Sequence, residues 1–295
     1  MTYELIKRLE EAVRNRCDVD KVGIIFSGGI DSSLIAVLAS RSADLVAYSV
    51  GTETAPDLEL LKKTRKYFNF EIKTTNVSER DVEDNVGDVL KAIGEPSPVR
   101  VGATLPPFLA SKAARADGVD IMLSGQGADE LFGGYWRYLP VVHDKGYDEL
   151  GKLLKKDTAE LKDRLIKSDI AACKINLIEL RTPFLDDGFI DFALKIPAED
   201  KIKTLKERPS LPEGAVDEYG GGLYIRKYAL KKAAEGELPA EVVWRSKKAA
   251  QYGSGVHKLL DKMARKRGFK EKAKKANRND YLTMFLEDEF SKLSK

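Results

Sequence analysis

Apolar positions along the first half of the chain alternate between two spacings. Short apolar runs at 22–26, 45–50, 71–76 and 120–123 have the length of strands. Between them, at 32–40, 57–68, 81–93 and 105–116, apolar residues recur every three to four positions, as on one face of a helix. This alternation predicts an α/β fold, a parallel sheet flanked by helices, with ligands bound beyond the carboxyl ends of the strands. Ahead of it lies an amphipathic helix, MTYELIKRLEEAVRNR, at residues 1–16. From about Tyr138 the pattern predicts a mostly helical C-terminal half, punctuated by Pro183, Pro197, Pro209 and Pro212 and by glycines at 220–222. The segment ERPSLPEGAVDEYGGG, residues 207–222, reads as an exposed loop, with a lid over a site as the sharper alternative. No internal repeat is found.

A chain of 295 residues is long enough to bury a substantial core, and it is read as a single domain, 1–295. With 50 basic against 47 acidic residues, the charge balance makes no case for a nucleic-acid partner or a membrane surface. The basic stretch KMARKRGFKEKAKK, 262–275, carries no interleaved aromatic platform and reads as a solvated helix face. No apolar run reaches the roughly 18 residues of a membrane span, and the N-terminal helix is no signal peptide, so a cytoplasmic protein is expected. Cys17 and Cys173 lie far apart and outside any metal spacing, which suits buried thiols; His143 and His257 are too few for a zinc cluster. Charged residues at 33%, with glutamine only at Gln126 and Gln251, lean towards a thermophilic source.

Chemistry enters at residues 24–36, IIFSGGIDSSLIA, where a glycine turn joins strand to helix with no spacer. Such a turn aims backbone N–H groups above the sheet. Gly28 and Gly29 allow close approach and the helix start favours negative charge, so a phosphate is the natural guest. Asp31 beside a phosphate calls for a cation between them, and Mg²⁺ held by one or two carboxylates plus phosphate oxygens is the usual one. A plain tight turn is the bland alternative. The spacings of a Walker A loop and of the dinucleotide fingerprint are absent. Ser27-Gly28-Gly29-Ile30-Asp31-Ser32 instead resembles the PP-loop of ATP pyrophosphatases, which cleave ATP between the α and β phosphates.

A second constellation, IMLSGQGADELFGGY at 121–135, adds Asp129 and Glu130 at the end of the fourth strand. It resembles the Leu-Ser-Gly-Glu-Gly-x-Asp-Glu-x-Phe-Gly-Gly-Tyr signature of the synthetase domain of asparagine synthetases. Four further blocks agree in order: SVGTETAPDLE (49–59), VRVGATLPPFLASK (99–112), ELRTPFLDDGFIDFAL (179–194) and LPAEVVWRSKKAAQYGSGV (238–256). The resemblance implies an adenine nucleotide alpha hydrolase-like fold and a reaction. A substrate carboxylate attacks the α-phosphorus of ATP to give an acyl-adenylate and pyrophosphate, and ammonia then displaces AMP. It further implies that Ser27, Gly28, Gly29, Asp31 and Ser32 cradle pyrophosphate, that Asp31 and Asp129 hold Mg²⁺, that Lys247 faces the phosphates, and that Val50, Ser124 and Gly125 border the adenosine. Apart from the resemblance, Lys247 reads as a surface lysine in a run with Lys248. Arg181 and Asp186 can simply pair across a turn, with the intervening Pro-Phe-Leu in the core.

The chain departs from that pattern in three places. The resemblance covers only the family's synthetase half, so a chain standing without the glutaminase half is expected, with ammonia arriving free or from a separate glutaminase subunit; a homodimer is compatible with the sequence. The family's Glu in Ser-Gly-Glu-Gly is Gln126, a neutral amide that cannot act as a base. Glu179 is then the expected proton acceptor, or the nitrogen donor differs, and aspartate is the leading carboxylate substrate. The spacing after Lys247 is two residues longer than the family's, which leaves Lys247 and Lys248 both open as the phosphate lysine. Two other readings stay in view: a PP-loop enzyme adenylating another acid or a tRNA base, against which stands the lack of cysteine pairs, and a non-catalytic nucleotide-binding relative.

Overall fold

The computed structural model describes residues 2–245 and 253–294. Five parallel strands form the main sheet: β1 (Lys21–Ile25), β2 (Asp44–Gly51), β3 (Glu71–Asn76), β4 (Ile121–Leu123) and β5 (Glu179–Arg181), in the spatial order β3-β2-β1-β4-β5. The α/β expectation is met. Along β2, Leu45 and Ala47 pack into one apolar cluster while Val46, Tyr48 and Val50 pack into another. That alternation is what a strand buried on both faces requires, and it explains why β2 reads as a continuous apolar run. Helices α1 (Thr2–Arg14) and α2 (Ile30–Ala39) cover the first face; α4 (Glu79–Ile93), α5 (Pro98–Ala116) and α8 (Ile166–Ile175) cover the second. Between them in sequence come α3 (Pro56–Thr64), α6 (Ala128–Phe132) and α7 (Tyr138–Glu160).

The chain runs from β1 outward to β2 and β3, then returns across β1 to place β4 and β5 on the other side. Strand order therefore reverses at β1, and the crevice that a doubly wound sheet offers to ligands opens between the loops after β1 and β4. Those loops touch. A Cβ on Gly125 would stand 3.0 Å from both the Asp31 Cβ and the Ser32 backbone nitrogen, so a glycine is what lets them meet.

The C-terminal half is less helical than its pattern predicts. Beyond β5 it contains α9 (Asp187–Lys195), α10 (Ala198–Lys201) and an antiparallel sheet of β6 (Ile202–Leu205), β7 (Asp217–Tyr219) and β8 (Gly222–Arg226), ordered β6-β8-β7. Strands of three to five residues are too short to show a period, which is why they escape a pattern reading. The expected loop 207–222 is correspondingly shorter, because 217–222 belongs to the β7–β8 hairpin. The chain closes through α11 (Tyr228–Ala234), α12 (Ala240–Val243) and helices Val256–Lys266, Phe269–Lys275 and Tyr281–Ser291.

Two local expectations are corrected. Helix α5 starts at Pro98, seven residues before the predicted 105, because Ser97 accepts the Arg100 N–H as N-cap and Pro98 suits the first turn; Pro106 and Pro107 then lie inside a helix. Arg181 and Asp186 do not pair with each other. Arg181 holds Glu179 at 2.7 Å and also binds Asp18, while Asp186 pairs with Arg16 at 2.9 Å and caps α9 through Phe189 N–H at 3.0 Å. Pro183, Phe184 and Leu185 are buried as expected, and both cysteines are buried free thiols.

Phe132, at the end of α6, is fully buried with its ring centroid 6.3 Å from that of Phe184 and 6.2 Å from that of Phe189. Phe132→Ala is expected to lower the unfolding free energy by about 3–5 kcal/mol through lost burial and a residual cavity. Denaturant titration followed by far-UV circular dichroism checks this; a loss under about 1 kcal/mol would mean that α6 does not anchor the second half to the sheet.

Candidate active site

The loop after β1 is folded by its own hydroxyls. The Ser27 backbone N–H donates to Ser32 Oγ at 3.2 Å, Ser27 Oγ lies 3.2 Å from the same oxygen, and Ser32 Oγ donates to the Gly29 carbonyl at 3.3 Å. Gly28 sits at φ +68°, where a side chain would be strained and would also meet Leu61 at 2.8 Å. Helix α2 begins at Ile30 rather than the predicted 32, with Gly29 at its N-cap and no side chain capping it. Asp31 thus lies in the first turn of α2, facing the cavity.

That cavity, of about 220 Å³, spans the β1/β4 crevice. Ser27, Gly29, Asp31 and Ser32 line it from the first loop, and Ser124, Gly125, Gln126 and Asp129 line it from the second. Val50 lines it from the end of β2. Of the residues singled out in these loops, Gly28 and Glu130 are not wall residues: the part of Gly28 is conformational, and Glu130 is buried and accepts a hydrogen bond from the Tyr135 hydroxyl at 2.7 Å.

At the cavity's centre stands a residue the sequence reading passed over. Lys227 follows β8 and is 3% exposed in its side chain. Its Nζ lies 2.6 Å from each carboxylate oxygen of Asp31 and 2.6 Å from Asp129 Oδ1. Burial alone would push its pKa down; the two carboxylates outweigh that and hold it above the usual lysine value. Lys227 adopts φ +56°, an unfavourable backbone for a long side chain, of the kind found where a site dictates the conformation. Gly134 makes room for the contact: a Cβ there would lie 1.8 Å from Asp129 Oδ1 and 2.3 Å from Lys227 Cε.

Two carboxylates from separate loops that converge on one cation are a donor set suited to Mg²⁺, whose remaining positions phosphate and water supply. Among the described residues no group of three or more His, Cys, Asp or Glu could hold a metal unaided. The fit is therefore to a metal shared with a phosphate ligand.

The rest of this wall is cationic. Arg226 grips Asp217 with two hydrogen bonds of 2.8 Å and donates to the Gly134 carbonyl at 2.6 Å, which ties the small sheet to the β4 loop. Lys231, on α11, lines the cavity with its pKa pushed down to about 8, chiefly by burial. Arg245 enters from the other side, paired with Asp57 at 2.8 Å. Arg226 and Lys227 are adjacent and Lys231 follows four residues later along one hairpin-to-helix segment; the run Leu-Tyr-Ile-Arg-Lys after the glycines was the available signal.

Gln126 points away from this cluster. Its Nε2 donates to Asp169 Oδ2 at 2.8 Å, and Asp169 Oδ1 accepts from Thr104 Oγ1 at 2.8 Å. Burial pushes the Asp169 carboxyl up to about 6, against the pull of those hydrogen bonds and of Arg100. Glu179, expected near Gln126, is not brought there. It opens β5 opposite Ile121, three residues short of Ser124, with its side chain 61% exposed and bonded to Arg181. Its carboxylate is engaged by Arg181, and Glu179 does not line the cavity, which opens beyond the carboxyl ends of the strands. Lys247 and Lys248 lie outside the described residues.

A parallel α/β sheet with a serine-glycine phosphate loop at its switch point, faced by paired carboxylates and a cationic wall, defines the PP-loop class of nucleotide-binding domains. Within it, the family model for asparagine synthase matches residues 4–174 and 145–289, and the chain belongs to that family. It is 39% identical over 290 residues to a Methanocaldococcus jannaschii protein provisionally named glutamine-hydrolysing asparagine synthetase 1, covering 92% of this chain and 54% of the relative. It is 29% identical to glutamine-hydrolysing asparagine synthetase 1 of Arabidopsis thaliana, over 85% of this chain and 42% of that one. With Escherichia coli asparagine synthetase B the figures are 27%, 86% and 45%. The chain thus spans about half the length of the curated relatives it matches.

Lys227→Met would leave Asp31 and Asp129 facing each other without their cation. Loss of one partner of a buried ion pair typically costs about 3–5 kcal/mol, so a lower melting temperature is expected, recovered in part by millimolar Mg²⁺. Melting curves with and without Mg²⁺ decide it. An unchanged melting temperature, or no greater Mg²⁺ response than in the unaltered protein, counts against the shared cation position.

Asp169 gives a pH prediction. Its folded pKa of about 6 lies above the ordinary 3.8, so between those values the unfolded chain has lost a proton that the folded chain keeps. Stability referred to Asp169→Asn should therefore fall as pH rises from 4 towards 6 and level off beyond. Paired denaturant titrations across that range test the sign; a flat or rising difference contradicts it.

Proposed function

We propose that this chain performs the carboxylate-activating and amide-forming steps of an asparagine synthetase, using ATP with Mg²⁺ and releasing pyrophosphate and AMP. The observation that carries the reading is the convergence of the β1 loop, Asp31, Asp129 and Lys227 on one point of one cavity. In the first step a substrate carboxylate oxygen bonds to the α-phosphorus as the bond from that phosphorus to the β-bridging oxygen breaks, and pyrophosphate leaves. In the second, ammonia bonds to the acyl carbon, the acyl C–O bond breaks with its electrons going to AMP, and nitrogen gives up a proton to the departing AMP phosphate or to water.

Most of the charge in the first step develops on phosphate oxygens, and groups fixed in advance at that location stabilise it without reorganising. Ser27 to Ser32 present backbone N–H groups and hydroxyls to the pyrophosphate. Asp31 and Asp129 would hold Mg²⁺, which when bound supplies Lewis-acid stabilisation to the phosphate oxygens. Lys227, neutralising both carboxylates in this structure, then has the phosphates themselves as its counter-charge. Val50, Ser124 and Gly125, on the β2 and β4 side, suit the adenosine. Lys247 stays a proposed phosphate contact by its motif alone. Aspartate is the leading acid, and the nitrogen is proposed to come as free ammonium or from a glutaminase partner, since the relatives are named glutamine-hydrolysing.

Product analysis by ion-exchange chromatography is the test: incubation with ATP, Mg²⁺, aspartate and ammonium chloride should yield AMP, pyrophosphate and asparagine. ADP and phosphate as the main products would falsify the reading. Asp31→Asn and Asp129→Asn are each expected to slow turnover by roughly 10²-fold or more, as befits several kcal/mol of charge stabilisation, with unaltered circular dichroism. Full activity in either variant removes that residue from the metal-binding pair.

A further inference from the structure

Position 126 is where the chain breaks the family signature, and the structure puts a carboxylate one hydrogen bond away. Asp169 reaches Gln126 from α8, 43 residues on, is 8% exposed, and stands behind the cavity wall that Gln126 helps to form. A side-chain amide has two unlike ends, donors on nitrogen and an acceptor on oxygen. An ionised carboxylate only accepts, so Asp169 fixes the Gln126 amide with its NH₂ turned to the wall. Thr104 Oγ1, donating at 2.8 Å to the other Asp169 oxygen, holds the carboxylate in that attitude.

We infer that Asp169 is a positioning residue that locks Gln126 so that its carbonyl oxygen is the acceptor for an N–H of the nitrogen nucleophile. The orientation matters chemically. Ammonia attacks through its lone pair, and a site that holds it by its hydrogens leaves that pair free. An amide turned the other way would donate to the lone pair and blunt it. The inference rests on the amide-forming reading above and deepens it by naming the group that receives nitrogen in place of the family's glutamate.

The test uses Asp169→Asn, Gln126→Glu and the exchanged pair Gln126→Glu/Asp169→Asn. Asparagine at 169 can offer either end of its own amide, so the lock is lost while shape is kept. Losing a hydrogen bond to a charged group should raise the KM for ammonium chloride about tenfold or more, with aspartate-dependent ATP–pyrophosphate exchange changed far less. Gln126→Glu alone sets two carboxylates in contact and is expected to impair amide formation as well. The exchanged pair again has one carboxylate and one amide, now with an acceptor oxygen facing the cavity, and should return the ammonium KM to within about threefold of the original, the mark of coupled neighbours. An exchanged pair no better than Asp169→Asn, or equal loss of exchange and amide formation in Asp169→Asn, overturns the inference.

A second readout needs no turnover. Gln126 and Gln251 are the chain's two glutamines, so ¹⁵N-glutamine labelling gives two side-chain amide signals, assigned through Gln126→Glu. The Gln126 signal should move in Asp169→Asn, and an unmoved signal sinks the lock. Absence of aspartate-dependent exchange in the unaltered protein would instead overturn the activation reading, leaving the amide signal to decide the lock.

Discussion

One ammonium group holds the site together. Lys227 stands between Asp31 of α2 and Asp129 of α6, so three segments separated by as many as 196 residues meet at one cation. Without it, two carboxylates would face each other in a half-buried cavity, where each repels the other and desolvation penalises both. The fold has been shaped around this contact at two points: Gly134 gives up its side chain to leave space, and Lys227 accepts a left-handed backbone. Both concessions cost stability and neither improves packing, which is the pattern expected where function sets the local geometry.

The small antiparallel sheet makes sense on the same terms. Three short strands with little core of their own form a poor unit in isolation. Their product is β8, whose end delivers Arg226 and Lys227 and whose continuation into α11 delivers Lys231. The bidentate Arg226–Asp217 pair braces that end from β7, and the Arg226 bond to the Gly134 carbonyl fastens it to the β4 loop. The main sheet supplies backbone donors and acids; the second sheet supplies cations. The proposed phosphate chemistry draws on both.

What could be read from the sequence was whatever is local in it. The β1 and β4 loops are contiguous strings whose glycines, serines and acids have meaning at fixed offsets, and the structure brings both to one cavity. Strands β1 to β4 are long or apolar enough to show themselves, while β5 and the second sheet are not. The misplaced reading of Glu179 shows the limit. Nearness to a motif in sequence suggested nearness to Gln126, but a residue at the start of a strand lies at the far end of the sheet from the ligand crevice. The residue that does meet Gln126 comes from α8 and carries no motif, and Lys227 likewise pairs with Asp31, 196 positions away, and with Asp129 of a third segment. Pairing at such range follows from topology, which no spacing rule encodes.

Charge is distributed unequally along the cavity, and this bears on why an amide is tolerable at position 126. The end of the cavity proposed for the phosphates holds Lys227, Lys231 and Arg226 against Asp31, Asp129 and Asp217 and is close to balanced before any ligand arrives. A carboxylate at 126 would add a negative charge to the wall of a cavity proposed to admit an anionic acid together with a polyphosphate. With an amide there, the carboxylate stands behind the wall, where Thr104 hydrogen-bonds it and Arg100 partly offsets it. The added separation weakens its repulsion of incoming anions, since Coulomb energy falls with distance. On the proposed reading, the acceptor oxygen left to Gln126 is what the wall offers to the nitrogen nucleophile. If Gln126 receives the nitrogen as proposed, two duties that one glutamate would combine, holding a nitrogen and carrying a charge, are divided between Gln126 and Asp169.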